Sequence, residues 1–99
     1  MDLGLKGKRA LVMGGSKGLG RSIADAIAAE GAIVTVSGRE QASLDKVAAE
    51  LKVQGAQAAY GIQADVSSGA EMDKLADAAV AAMGGVDILV LNHGRRPVC

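Results

Sequence analysis

Four short apolar runs alternate with three longer stretches whose apolar residues recur at helical spacing. Ala10-Leu11-Val12-Met13 is continuous rather than alternating, the pattern of a parallel strand covered on both faces. From Leu19 the apolar positions are Leu19, Ile23, Ile27 and Ala28, with Arg21, Asp25 and Glu30 elsewhere. That spacing predicts an amphipathic helix running to about Glu30, with Gly31 as its stop signal. Ile33-Val34-Thr35-Val36 predicts a second buried strand rich in β-branched residues, ended by Ser37-Gly38-Arg39. Leu44, Val47, Ala48 and Leu51 form a clean stripe, with Asp45, Lys46, Glu50 and Lys52 facing water and Gly55 closing the helix. Residues 56 to 62 predict a strand diluted by alanines and Gly61, placed at a sheet edge. Asp65-Val66-Ser67-Ser68 leads into a third helix carrying Met72, Leu75, Ala76, Val80 and Met83. Ser68 with Glu71 fits a capping box, and Ser67 could equally be the cap. Gly84-Gly85 ends that helix, and Ile88-Leu89-Val90-Leu91 predicts a fourth buried strand.

The order is β-α-β-α-β-α-β with connections of a few residues. Right-handed crossovers make this an α/β fold, a parallel sheet with helices on both faces. No repeat, linker or internal boundary divides residues 1–99, so one domain is expected.

Composition narrows the function classes. Eleven basic residues cancel eleven acidic ones, which removes the electrostatic argument for nucleic acid or an anionic membrane. Tyr60 is the only aromatic residue, so the core is built from Ala, Val, Ile, Leu and Met. The single cysteine, Cys99, excludes an intramolecular disulfide framework and a Cys-rich zinc site. No apolar run approaches the ~20 residues that span a bilayer, and the N-terminus lacks the apolar core of a secretory signal. A cytoplasmic location is the expectation.

The candidate chemistry sits in Gly14-Gly15-Ser16-Lys17-Gly18-Leu19-Gly20, between the first strand and the first helix. Strand, glycine-rich turn and helix start together present backbone N–H groups to a phosphate. Glycine lets the chain turn tightly and brings the backbone against a ligand without a Cβ in the way. The spacing G-x-x-x-G-x-G differs from the dinucleotide fingerprint G-x-G-x-x-G. Gly15 to Ser22 also reads G-x-x-x-x-G-R-S, close to the P-loop pattern of NTPases. That pattern uses a Lys as a compact charge on the phosphates, and Arg21 is not its equivalent.

Taken in order, the glycine turn, Gly38-Arg39, Asp65-Val66 and Asn92-His93-Gly94 make the chain resemble the N-terminal, cofactor-binding half of a short-chain dehydrogenase/reductase, from about Leu5 to Gly94. In detail it looks most like the 3-oxoacyl-(acyl-carrier-protein) reductase branch. The resemblance implies a Rossmann-like doubly wound sheet truncated to four strands, order 3-2-1-4, and three helices. It implies that Gly14, Gly18 and Gly20 carry the turn that receives a cofactor pyrophosphate, with Ser16, Lys17 and Leu19 of the same turn also cofactor-binding. Asp65 with Val66 would lie against the adenine, and Asn92, His93 and Gly94 would wall the adenosine ribose. Two departures stand out: Met13 replaces a usual Thr, and Leu91-Asn92-His93-Gly94 replaces Asn-Asn-Ala-Gly. The Thr hydroxyl ties the turn to the neighbouring loop and Met13 cannot, so weaker cofactor affinity than in a typical member is expected.

Charge argues the choice of nicotinamide cofactor. NAD binders place an acid about 20 residues past the glycine turn, on the ribose hydroxyls. Here Ser37-Gly38-Arg39 ends the second strand and Lys17 lies in the turn, two cations and a hydroxyl that suit a 2′-phosphate. The expected cofactor is NADP rather than NAD.

In the resembled family hydride transfer depends on a Ser and a Tyr-x-x-x-Lys pair. Tyr60 has Ala64 at +4, so it does not supply that pair. The expectation is a cofactor-binding portion inactive by itself, or alternatively a self-associating structural fragment with vestigial nucleotide binding. Arg95-Arg96-Pro97-Val98-Cys99 starts no expected helix, which leads to the expectation of a truncated reading frame. A four-stranded sheet of this order leaves its fourth strand as an apolar edge and one face covered by the third helix alone. Both features favour homo-oligomers.

Overall fold

The computed structural model describes residues 4–14, 18–64 and 69–91. The elements are β1 (Arg9–Met13), α1 (Gly18–Ala29), β2 (Ile33–Gly38), α2 (Gln41–Gln54), β3 (Ala58–Gln63), α3 (Gly69–Met83) and β4 (Ile88–Leu91). All strand pairs are parallel, in the order β3-β2-β1-β4. This is the doubly wound arrangement that the alternation of patterns predicts. β2 runs two residues past the apolar run, through Ser37 and Gly38, because both pair with β3. β3 begins later than its predicted start: Ala56 and Gln57 form the lead-in, where the Gln57 N–H donates to the Ala32 carbonyl at 3.0 Å.

Alternation along the strands sorts the core into two layers. Ala10 and Val12 of β1 and Val34 and Val36 of β2 pack with Ala24, Ile27 and Ala28 of α1 and with Leu44, Val47, Ala48 and Leu51 of α2. Leu11 and Met13 face the other way, against Leu75 and Ala79 of α3. With β1 buried on both faces, its continuous apolar run has a physical reason. Gly61 is more than a diluting residue in an edge strand. A Cβ there would lie 2.8 Å from the Leu44 Cβ and 2.9 Å from the Leu44 carbonyl, so the glycine lets α2 settle directly on β3.

The third helix departs from its predicted face. Leu75 and Ala79 are buried and Met72 and Met83 half-buried, whereas Ala76 is exposed and Val80 is 48% exposed. The line 72-75-79-83 faces the sheet because α3 lies over β2 and β3. An alanine at 76 and one at 79 look alike in sequence, so periodicity alone does not choose between adjacent lines. The Ser67 and Ser68 caps proposed for this helix lie outside the described residues. β4 is an edge strand, and Leu89, beside Leu11 in register and on the same face, is 56% exposed.

Among the described residues, two buried hydroxyls interrupt the apolar interior. Thr35 and Ser37 point to the α3 side of β2, are 0% and 1% exposed, and their hydroxyls make no hydrogen bond with a described residue. A buried hydroxyl without a partner carries its desolvation cost uncompensated. Replacing Thr35→Val keeps the branched shape and removes the hydroxyl. It should stabilise the fold by about 1 kcal/mol, and raise the melting temperature by roughly 4–8 °C in circular dichroism. A lowered melting temperature would show that the hydroxyl is satisfied in solution.

At the amino ends of the strands, Arg9 and Asp87 clamp β1 to β4. The Arg9 guanidinium donates to Asp87 through Nε at 3.0 Å and Nη2 at 3.1 Å, and through Nη1 to the Gly84 carbonyl at 3.0 Å. The backbones close the same contact: Arg9 N–H reaches Asp87 Oδ2 at 2.9 Å, and Asp87 N–H reaches the Arg9 carbonyl at 2.7 Å. These bonds hold the Asp87 carboxyl at about 2, the guanidinium contributing most and the Arg9 N–H next. A depressed carboxylate stabilises the fold above its unfolded value and loses that contribution as pH falls through the folded one. The clamp's contribution should therefore be complete at neutral pH and disappear between about pH 4 and pH 2. In acid unfolding, Asp87→Asn should be less stable than the wild type at neutral pH, with the difference shrinking toward pH 2. A difference that stays constant over that range would rule out the clamp as its source.

Candidate functional site

The carboxyl ends of the strands gather the candidate residues. β1 ends at the buried Met13, and Gly14 then turns with φ 74°, a conformation that favours glycine. The Gly14 N–H donates to the Ser37 carbonyl at 2.9 Å, which ties the glycine turn to the end of β2. α1 starts at Gly18, and Gly20 is buried within its first turn. The backbone of Gly18 and Leu19 is thus in the helix start that the sequence assigns to a phosphate. Ser16, Lys17, Asp65, Val66, Asn92, His93 and Gly94 lie outside the described residues.

Met13 has a packing role. It is 3% exposed and belongs to the cluster of Leu11, Ala64, Leu75 and Ala79 beneath α3. Ser37 enters the site through its backbone: its carbonyl holds Gly14, while its hydroxyl is enclosed on the α3 side of the sheet.

Arg39 follows β2 directly and is exposed. Its guanidinium makes no ion pair or hydrogen bond with a described residue. Arg39, Gln63, Ala64 and Glu71 line a pocket of about 420 Å³ at this end of the sheet. Glu71 supplies a carboxylate to that pocket, and Lys74 approaches it at 3.7 Å. Arg21, the residue at the lysine position of the P-loop-like pattern, is engaged elsewhere. It bonds Asp25 and Glu50, each at 2.8 Å, and so joins α1 to α2. That commitment removes the cation an NTPase reading would need on its phosphates.

The short connection between β2 and α2 is fixed at every carbonyl. Gly38 accepts from the Ala64 N–H at 2.8 Å, Arg39 accepts from Gln63 Nε2 at 2.9 Å, and Glu40 accepts from the Leu44 N–H at 3.2 Å. The Ser43 hydroxyl donates to the Glu40 carboxylate at the helix start. Gln41 bonds three ways: Nε2 donates to Gly61 carbonyl at 2.9 Å and to Asp45 at 2.8 Å, and Oε1 accepts from the Gln63 N–H at 3.0 Å. Sequence reasoning missed Gln41 and Gln63, since polar amides leave no mark in an apolar pattern. The nearest available signal was their position, one at a helix start and one at a strand end beside Arg39.

No group of three or more metal-ligating side chains occurs among the described residues. No helix among the described residues is long and apolar enough to cross a membrane.

Comparison with known proteins places this geometry in context. The model of the short chain dehydrogenase family matches residues 8–99. A Hydroxysteroid 11-beta-dehydrogenase 1-like protein of Danio rerio is 38% identical over 89 residues, 90% of this chain and 31% of that protein. A solved chain from Sinorhizobium meliloti 1021 superposes with TM-score 0.85 at 39% identity, covering 99% of this chain and 38% of its own. A short chain dehydrogenase from Burkholderia cenocepacia in complex with NADP gives TM-score 0.78 at 41% identity, covering 86% and 35%. The NADH-dependent reductase A1-R′, complexed with NAD, gives 0.77 at 30% identity, covering 87% and 36%. The chain spans about a third of the length of the curated relatives it matches.

Proposed function

Because the chain belongs to the short-chain dehydrogenase family, we propose that it is the NADP(H)-binding portion of a short-chain oxidoreductase acting on a carbonyl or alcohol, and that it is inactive alone. One juxtaposition carries the reading. The Gly14 turn is hydrogen-bonded to Ser37, and Arg39, two residues on, presents a guanidinium without a partner among the described residues. The turn and the start of α1 suit the pyrophosphate, as N–H groups at a helix N-terminus favour an anion. Arg39, with Lys17, suits the 2′-phosphate that distinguishes NADP from NAD, since guanidinium pairs with phosphate through two donors. Asp65, Val66, Asn92, His93 and Gly94 are proposed for the adenosine side of the same nucleotide. When bound, the nicotinamide supplies the hydride. This chain's residues bind and orient the nucleotide, and the Tyr-x-x-x-Lys pair that would move the proton is absent from the sequence.

The sequence resembles the 3-oxoacyl-(acyl-carrier-protein) reductase branch, whereas the Danio rerio relative is hydroxysteroid dehydrogenase-like by name. Interconversion of a carbonyl and an alcohol is the level at which we propose the reaction. A second reading, a self-associating fragment with vestigial nucleotide binding, is favoured by one observation, the 56% exposure of Leu89 on the edge strand β4. The two readings differ in nucleotide affinity.

Titration of NADPH by fluorescence should show binding near about 1 μM, with NADH weaker. Arg39→Asp should weaken NADPH much more than NADH, because it replaces a phosphate partner by a repelling charge. Equal loss of both cofactors would refute the assignment of Arg39. Absence of binding, with large species in light scattering, would favour the self-associating fragment.

A further inference from the structure

We infer that Gln63 is a positioning residue for cofactor choice, holding Arg39 where its guanidinium meets a 2′-phosphate, and that Gln41 anchors Gln63. The inference rests on the reading of Arg39 as the 2′-phosphate ligand.

Arg39 and Glu40 alone connect β2 to α2. Arg39 has no ion pair among the described residues, so the backbone that carries it sets where its side chain starts and which region the guanidinium can reach. That backbone is fixed at Arg39 by a side chain from another strand, the Gln63 amide donating to the Arg39 carbonyl at 2.9 Å. Gln63 in turn is fixed by its own N–H on Gln41 Oε1 at 3.0 Å. Gln41 also donates to the carbonyl of Gly61, two residues before Gln63 on the same strand. Bonding one acceptor and one donor two residues apart is what a residue of a neighbouring parallel strand does, so the Gln41 amide substitutes for that strand at the outer side of β3.

Two hydrogen bonds thus link Arg39, just after β2, through Gln63 to Gln41 at the start of α2. Gln63 also lines the pocket that Arg39 lines. A ligand group held on a fixed backbone loses less freedom on binding, and the gain appears in affinity for the group it contacts. A dinucleotide without the 2′-phosphate makes no use of Arg39 in this way, so the benefit is confined to NADP. Glutamine suits the task because its amide donates to a carbonyl without placing a negative charge beside the phosphate.

Gln63→Met keeps the length of the side chain at an exposed position and removes the donor. Dissociation constants for NADPH and NADH should be measured on the wild type, Gln63→Met, Arg39→Ala and the double variant. Gln63→Met should weaken NADPH by about 3- to 10-fold, the scale of one hydrogen bond, and leave NADH within about 2-fold. In the Arg39→Ala background, Gln63→Met should have no further effect on NADPH. Equal weakening of both cofactors would make Gln63 a purely structural residue and overturn the inference, as would unchanged NADPH affinity. If Arg39→Ala abolishes the preference for NADPH and Gln63→Met does not, the inference falls while the function proposed for Arg39 stands. If the wild type binds neither cofactor, both fall together.

Discussion

Burial of β1 on both faces is the constraint on which the rest of this structure depends. A strand with Ala10 to Met13 at 0 to 3% exposure leaves its backbone groups no access to water, so each must be bonded within the sheet. β2 and β4 supply those bonds on either side. The faces then need cover, which α1 and α2 provide on one side and α3 on the other. Once β1 is placed, the glycine turn at its end and the loop after β2 meet at the same edge, and Gly14 hydrogen-bonds to Ser37 there. The candidate site follows from the layering of the core.

The two ends of the sheet use polar groups differently. At the amino ends, Arg9 and Asp87 spend their charges on each other and on the local backbone. At the carboxyl ends, Arg39 keeps its guanidinium unpaired among the described residues, and its backbone carbonyl is the group engaged. Satisfied charge fastens one end, while available charge is kept at the other, where a phosphate is proposed.

How far the sequence discloses this depends on the kind of interaction. The strands and the stripe of α2 are legible because burial imposes a period, and Leu44, Val47, Ala48 and Leu51 are all buried as spaced. The face of α3 is legible only to within one line of residues, since its alanines fit on either. The glycine turn and Arg39 are legible as chemistry, from the residue types that phosphate binding requires. The Arg9–Asp87 clamp joins residues 78 apart, and the Gln41–Gln63 link joins residues 22 apart. Neither leaves a pattern, because a single hydrogen-bonded pair imposes no repeat on the chain between its ends. Gly61 was legible as a glycine, and its reason, the approach of Leu44, exists only in three dimensions.

The Gln41 amide on the outer side of β3 has a consequence for how such a sheet can grow. Where the amide sits, β3 has already spent the donor and acceptor that an incoming strand would need. Among the described residues β4 pairs with β1 alone. A fifth parallel strand beyond β4 would break no bond among the described residues, whereas addition at the carboxyl end of β3 would first have to displace a helix-borne glutamine. Growth of the sheet is thus hindered at the carboxyl end of β3 by a side chain from its own helix.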